Sequence, residues 1–505
     1  MAKFTKARFG SKTSYRMMSI SCALAFALYG YDAGVLGGVQ NTKPFLDAIG
    51  NPKGVYDIPM VASSYVLAAT VISALVIFIG MPFGRRGCIL IGDLCVIVGS
   101  AIQASAMSMP HIIIGRVICG FGIGFISSTV PTYMAEMGIT KEQRGPEVAV
   151  QCAWLITGIA IAYWIDFGFT RTQHQISWRF PIAFQAVFAI ISFTLLWFLP
   201  DTPRWYYARD RIEEGDAVLM LLHDKPIEDE GVQMQRKEIL TSIQMESENE
   251  NKLSLLSLVW DNTELRVGRR IRISFLILSI QQMMGINMLV YYSTRIFANI
   301  GLSPFLSQLL AAVMNTIFAI GTYFTPGTIE RFGRRKIMLW TALGCGVSIM
   351  IFTIMIGLEN QTTATQWTAV AFVILYNLFY GYGWVGCPWL YGPEIAPLRY
   401  RHIGGAAGSL GEWLFSFITV FAGGIGVDRT GWKIWIWQII ACFGVIPFVY
   451  FMCPETAGKS LEEIDALFAA PGYDGYHHGA GADEKMIESD GSNTSHIEEQ
   501  VIAKN

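Results

Sequence analysis

The sequence predicts an all-α membrane protein, twelve transmembrane helices arranged as two pseudo-symmetric six-helix bundles, on three observations. Hydrophobic residues make up 52% of the 505-residue chain and charged residues 15%, too little polar surface to cover a water-soluble globule of this size. Twelve apolar stretches are long enough to cross a bilayer, at about 18–38, 58–80, 88–107, 111–131, 147–168, 179–199, 272–297, 305–327, 336–357, 366–391, 403–427 and 432–452. A loop grammar is also written twice: Gly84-Arg85-Arg86 returns as Gly333-Arg334-Arg335, Glu136 with Arg144 as Glu394 with Arg401, and Pro200-Asp201-Thr202-Pro203 as Pro454-Glu455-Thr456. Such a long-period duplication inside apolar sequence implies a transporter with a substrate site between two similar halves.

The chain divides accordingly. Residues 1–17 form an N-terminal segment, 18–199 the first bundle, 200–271 a charged linker, 272–453 the second bundle and 454–505 a tail. The linker is broken by Pro226 and shows a helical pattern from Trp205 to Leu222, as expected for short amphipathic helices lying under the bundles. From about residue 471 the tail is rich in Gly, Ser, His and acids, so disorder is expected there. Most of the 37 Lys and Arg residues sit in the N-terminus, the even-numbered loops and the tail, which places both termini in the cytoplasm. The first apolar run follows a basic N-terminus and carries an aspartate, so it reads as a retained span rather than a cleaved signal. The nine cysteines are scattered without metal-ligand spacing, so neither a disulfide framework nor a metal site is expected. Asn360-Gln361-Thr362 is a glycosylation sequon, in an outer loop close to the bilayer.

Charges inside the apolar runs are the first functional candidates, because each costs ~2.5 to 3.5 kcal/mol on insertion scales. Asp32 lies in Tyr29-Gly30-Tyr31-Asp32-Ala33-Gly34, opposite a small-residue stripe of Gly30, Gly34 and Gly38 that suits close helix packing. Arg116, in the fourth stretch, is its natural partner: either a permanent ion pair that fixes packing, or a proton switch worked by small movements of the arginine. Glu412, beside Trp413 in the eleventh stretch, has no evident basic partner and suits a watery cavity. Asp93 and Asp166 sit nearer span ends and read as solvated carboxylates.

The seventh stretch carries Gln281-Gln282-Met283-Met284-Gly285-Ile286-Asn287 and then Tyr291-Tyr292. Amides both donate and accept, and so match hydroxyl-rich ligands, while aromatic faces cover C–H surfaces. In a straight helix Gln282 and Asn287 would lie about 140° apart, so joint contact with a ligand needs a break, most simply at Gly285.

These features resemble the sugar porter family of the major facilitator superfamily, especially its fungal sugar and polyol members, over roughly residues 15–468. The resemblance is carried by Gly30-Tyr31-Asp32, Gly115-Arg116 with Gly120 and Gly122, Pro131-x-Tyr133 with Glu136, Arg144-Gly145, Pro200-Asp201-Thr202-Pro203-Arg204, the Gln-Gln-x-x-Gly-x-Asn run, Glu330-Arg331-Phe332-Gly333-Arg334-Arg335, Pro388-Trp389 with Glu394, and Pro454-Glu455-Thr456. It implies the major facilitator fold, with Gln281, Gln282, Asn287, Asn315, Trp389 and Trp413 as substrate contacts and Tyr291 and Tyr292 as an outer gate. It also implies proton coupling at Asp32 and Arg116, and a cytoplasmic latch of Glu136, Arg144, Glu330, Arg334, Glu394 and Arg401. Three departures stand out. Cys152 occupies a place where the family usually has a sugar-binding glutamine, with Gln151 one residue earlier on another face. Glu412 stands where many relatives have asparagine. Met81-Pro82 replace an acid and an arginine of the first-half loop motif.

The expectation is therefore a monomeric, multi-pass transporter of the plasma membrane that moves a sugar or polyol by alternating access. A proton is the expected coupling ion, with no cofactor and no nucleic-acid partner. Rival readings keep the fold but change the role: a carrier of glycerol or a pathway metabolite, or a non-transporting sugar sensor. No nucleophile, metal or phosphate-loop constellation suggests an enzyme.

Overall fold

The computed structural model of the protein describes residues 10–138, 144–247, 266–397, 401–459 and 461–469. Twelve helices among them are long and apolar enough to cross a membrane: Ser11–Val39, Asp57–Val76, Pro82–Ala104, Met109–Met137, Val148–Phe169, Ile176–Trp197, Val267–Asn299, Pro304–Phe332, Arg334–Gly357, Thr363–Ile395, Ile403–Arg429 and Gly431–Met452. They are the first to twelfth spans below. The first begins well before the predicted residue 18, because the polar turn from Ser11 continues the helix without a breaker.

Helix packing within the first half depends on residues without bulk. Gly30 and Gly34 lie directly on the fifth span, where a Cβ on Gly30 would stand 1.7 Å from the Leu155 carbonyl oxygen, and Gly158 faces the Ala27 carbonyl in return. The small-residue stripe foreseen in the sequence is thus the seam between the first and fifth spans. Gly120 and Gly124 let the fourth span approach the second in the same way. Between halves, the fifth span packs along the eighth and the first against the seventh, while Pro59 of the second span meets Gly424 of the eleventh.

The duplicated loop grammar folds into the same device twice. Gly84 and Gly333 adopt left-handed φ values of 78° and 84°, which glycine tolerates and other residues resist, and a helix starts immediately after each. Asp201, at the end of the first half, accepts the backbone N–H groups of Arg85 at 3.1 Å and Arg86 at 3.2 Å. Glu455, at the end of the second, accepts those of Arg334 at 2.8 Å and Arg335 at 3.0 Å. A carboxylate at a helix N-terminus satisfies otherwise orphaned donors and meets the positive end of the helix dipole.

Among the described residues between the halves lie three short helices, Pro203–Tyr207, Ile212–His223 and Glu230–Ser247. Thr202 caps the first by accepting from Trp205 N at 3.3 Å, and the second buries Val218, Leu219 and Leu222, as an amphipathic linker should. A helix after the twelfth span, Leu461–Phe468, returns to the bundle through Asp465, which pairs with the buried Arg270. The tail from about residue 471 lies outside the described residues.

Candidate functional site

The seventh span breaks where the sequence requires it. Gly285 takes φ 85°, ψ 20°, ending one helix at Met283 and starting another at Ile286. The break frees the Gln281 and Met284 carbonyls, which lipid-embedded chain cannot leave unpaired, and three buried side chains brace it. Tyr380 donates to Gln281 O at 2.9 Å, Tyr376 to Met284 O at 2.6 Å, and Gln438 to Gly285 O at 2.8 Å.

With the helix broken, the predicted amides converge. Asn287 Nδ2 donates to Gln282 Oε1 at 2.6 Å and to Ser416 Oγ at 2.6 Å, and Gln282 Nε2 donates to Glu412 Oε1 at 2.7 Å. Gln281 Nε2 donates to the Trp384 carbonyl at 2.5 Å, which meets no helical N–H four residues on because Pro388 has none; the tenth span passes through a π-helical turn at Gly381–Val385 just before it. These groups form one wall of a central cavity of about 60 Å³, room for several water molecules. Trp389, Trp413, Cys152 and Tyr291 also line it, and Ala33, Leu155, Ile156 and Ile159 supply an apolar face.

Beside Ala33 sits the intramembrane ion pair. Arg116 Nη1 donates to Asp32 Oδ1 at 2.6 Å, and neither side chain is exposed to any degree. The guanidinium carbon lies 4.4 Å from the centre of the Tyr65 ring, a cation–π contact, and the cavity-lining Tyr291 interacts with the same guanidinium. Asp32 Oδ2 and Arg116 Nε are buried without a hydrogen-bond partner among the described residues.

The structure places two of the predicted site residues away from the cavity lining and corrects two other expectations. Asn315 does not line the cavity: it is fully buried, its Nδ2 donates to its own helix at Ala311 O, 2.9 Å away, and its Oδ1 has no hydrogen-bond partner among the described residues. Tyr292, expected as a gate, does not line the cavity; its phenol donates to Val420 O at 3.0 Å and ties the seventh span to the eleventh within the second half. Asp93 and Asp166 are buried, not solvated. The sixth span covers Asp93, which accepts from Ser192 Oγ at 2.9 Å, and Asp166 packs on Gly38, where helix contact excludes solvent.

One group of residues went unnoticed in the sequence. Gln40 Nε2 donates to Tyr291 O at 2.5 Å, Thr294 Oγ1 to Gly37 O at 2.7 Å, and Tyr163 to Val290 O. Together they stitch the second segment of the seventh span to the first half, with Ser293 donating to the Tyr163 oxygen at 2.7 Å. Polar residues near span ends give no pattern that would single them out. The described latch residues named from the sequence pair up, with Arg85 the one partner missed. Glu136 pairs with Arg85 at 2.8 Å, and Arg334 with Glu330 at 2.6 Å and Glu394 at 2.8 Å, so each of these pairs lies within one half. The side chains of Arg144 and Arg401 lie outside the described residues.

Residues 18–468 match the family described as "Sugar (and other) transporter". The chain belongs to that family. This transporter is 33% identical to the MFS-type transporter oryC of Aspergillus oryzae, over 89% of its own length and 85% of the relative's. It is 32% identical to the sugar transporter STL1 of Saccharomyces cerevisiae, over 92% and 83%. Among solved structures, the proton:xylose symporter XylE bound to 6-bromo-6-deoxy-D-glucose superposes with a TM-score of 0.76 at 22% identity, covering 91% of this transporter and all of that chain. The fold is therefore that of the major facilitator superfamily, and the chain is a multi-pass membrane transporter, not an enzyme.

Proposed function

We infer that this transporter carries a sugar or related polyol across the plasma membrane by alternating access, as a monomer with both termini in the cytoplasm and one proton bound at Asp32. The observation that carries this reading is the juxtaposition of two systems at one cavity: the amide wall of Gln281, Gln282 and Asn287, and the Asp32–Arg116 pair reached through Ala33 and Tyr291. The amides and the Trp389 and Trp413 rings offer what a hydroxylated ring requires, polar contacts at its edge and flat apolar cover over its C–H faces. The names of the relatives point the same way, one as a sugar transporter and one as a proton:xylose symporter. The excess of Lys and Arg in the termini and even-numbered loops supports the orientation.

In this account the stitches between the seventh span and the first half close the outer side, and they part when the halves rock. Glu136, Arg144, Glu330, Arg334, Glu394 and Arg401 belong to the opposite, cytoplasmic side, where ion pairs form a bistable element rather than a binding site. Movement of one charge through the membrane potential supplies ~2.3 kcal/mol per 100 mV to drive accumulation.

The test is uptake of a labelled sugar and polyol panel into proteoliposomes bearing a proton gradient, with and without a protonophore. Concentrative uptake that collapses on adding the protonophore is the expected result. Binding of a panel member without flux would make the protein a sensor, and flux insensitive to the gradient would remove the coupling.

A further inference from the structure

We propose that the favoured ligand bears a protonated amine as well as hydroxyls, an amino sugar or amino polyol, and that Glu412 is the residue that selects it. This rests on the central cavity being the transport site and narrows the class of its cargo.

Glu412 is 5% exposed and lines the cavity. Its Oε1 accepts the Gln282 amide at 2.7 Å, whereas Oε2 is buried with no hydrogen-bond partner among the described residues. The groups around it are Gln282 from the seventh span, Tyr29 from the first, Cys152 from the fifth and Tyr380 from the tenth. None is basic, and no Lys, Arg or His is among the described residues that line the cavity. The buried guanidinium of Arg116 is already engaged by Asp32. A carboxyl held in such a place must either keep a proton or meet a positive charge, because burying it ionised and unpaired is costly.

Two further observations say what supplies that charge. The amide wall presents committed donors and open acceptors. A carboxylate only accepts, so Gln282 turns its NH2 to Glu412 and its Oε1 to Asn287. Asn287 spends its amide on Gln282 and Ser416, and Gln281 donates to Trp384 O, while Gln281 Oε1 is left without a partner among the described residues. A ligand rich in donors fits this wall better than one rich in acceptors. Beside Glu412, Tyr29 and Trp413 hold their ring centres 5.1 Å apart with planes 34° from parallel, and such aromatic faces favour a cation over a neutral group. An ammonium between Glu412 Oε2, Gln281 Oε1 and these rings would meet both demands, its neighbouring hydroxyls falling to the amides.

The experiment compares charged and neutral partners of the same shape in proteoliposomes of the full chain: D-glucosamine against D-glucose, and 3-amino-1,2-propanediol against glycerol, at a pH that keeps the amines protonated. Expected is a preference for at least one amine over its neutral partner of about tenfold or more in half-saturation, the scale of a hydrogen bond to a charged group. Glu412→Gln, which keeps the acceptor for Gln282, removes that preference, and Glu412→Asp, which keeps the charge, retains most of it. Neutral partners moving as well as amines, or a preference that persists undiminished in Glu412→Gln, overturns this inference and leaves sugar or polyol transport standing. No flux of any of the four, nor of the wider neutral panel, overturns both.

Discussion

Asp201 and Glu455 hold equivalent posts in the two halves, each accepting the first backbone N–H groups of the helix that follows a left-handed glycine. Their surroundings repeat as well. Tyr133 donates to Pro200 O at 2.9 Å and Tyr391 to Pro454 O at 2.9 Å, while Arg86 reaches Trp197 O at 2.6 Å and Arg335 reaches Tyr450 O at 2.6 Å. The internal repeat in the sequence therefore records a clamp that locks the third span to the sixth and the ninth to the twelfth.

The first clamp is pH-dependent. Burial pushes the Asp201 carboxyl up from 3.8 to about 6, with the Thr202 N–H and Arg85 pulling the other way. The folded protein thus holds this proton more tightly than the unfolded chain, so Asp201 favours folding at low pH and that contribution is lost as pH rises from 3.8 through about 6. The loss amounts to at most about 3 kcal/mol. Melting of the detergent-solubilised protein should fall across this window and level off above it, and Asp201→Asn should flatten the slope. An identical slope in the variant would contradict the assignment.

Gly285→Ala should uncouple the seventh span. A side chain at positive φ costs about 1–2 kcal/mol, and here the added Cβ would stand 1.9 Å from Gln438 Nε2, which donates to the Gly285 carbonyl. The expected outcome is a lower melting temperature together with loss of transport. Wild-type uptake in this variant would mean that the break is dispensable.

Gln282→Ala removes the link between Asn287 and Glu412. Losing a hydrogen bond to a charged group costs about 1.5–3 kcal/mol, so the half-saturating substrate concentration should rise about tenfold or more, with protein yield and fold preserved. An unchanged value would argue against the seventh-span site.

How much of this was legible in the sequence depends on the kind of signal. Apolar run length gave all twelve spans, because a helix crossing lipid must be long and apolar whatever it packs against. The ion pair of Asp32 with Arg116 followed from cost alone, since each charge needs a partner. Gly285 was legible because a straight helix cannot bring Gln282 and Asn287 together. What escaped was the answer to "against what". Tyr292 has the right chemistry for a ligand but spends it on Val420 O, and Asn315 sits off the cavity with its Nδ2 on Ala311 O. Asp93 and Asp166 look solvated by position, yet neighbouring spans cover them. Tyr376, Tyr380 and Gln438 are needed only because the helix breaks, so nothing in their own spans announces them.

The central claim is that Asp32, paired with Arg116, couples a proton to alternating access. Asp32→Asn leaves a buried guanidinium unpaired, so its stability should be checked beside the double variant Asp32→Asn with Arg116→Gln. The direct measurement is transport of the preferred substrate into proteoliposomes by Asp32→Asn, under an imposed proton gradient and again as counterflow without one. The account predicts no accumulation against the substrate gradient while exchange persists. Full concentrative uptake by Asp32→Asn would contradict it.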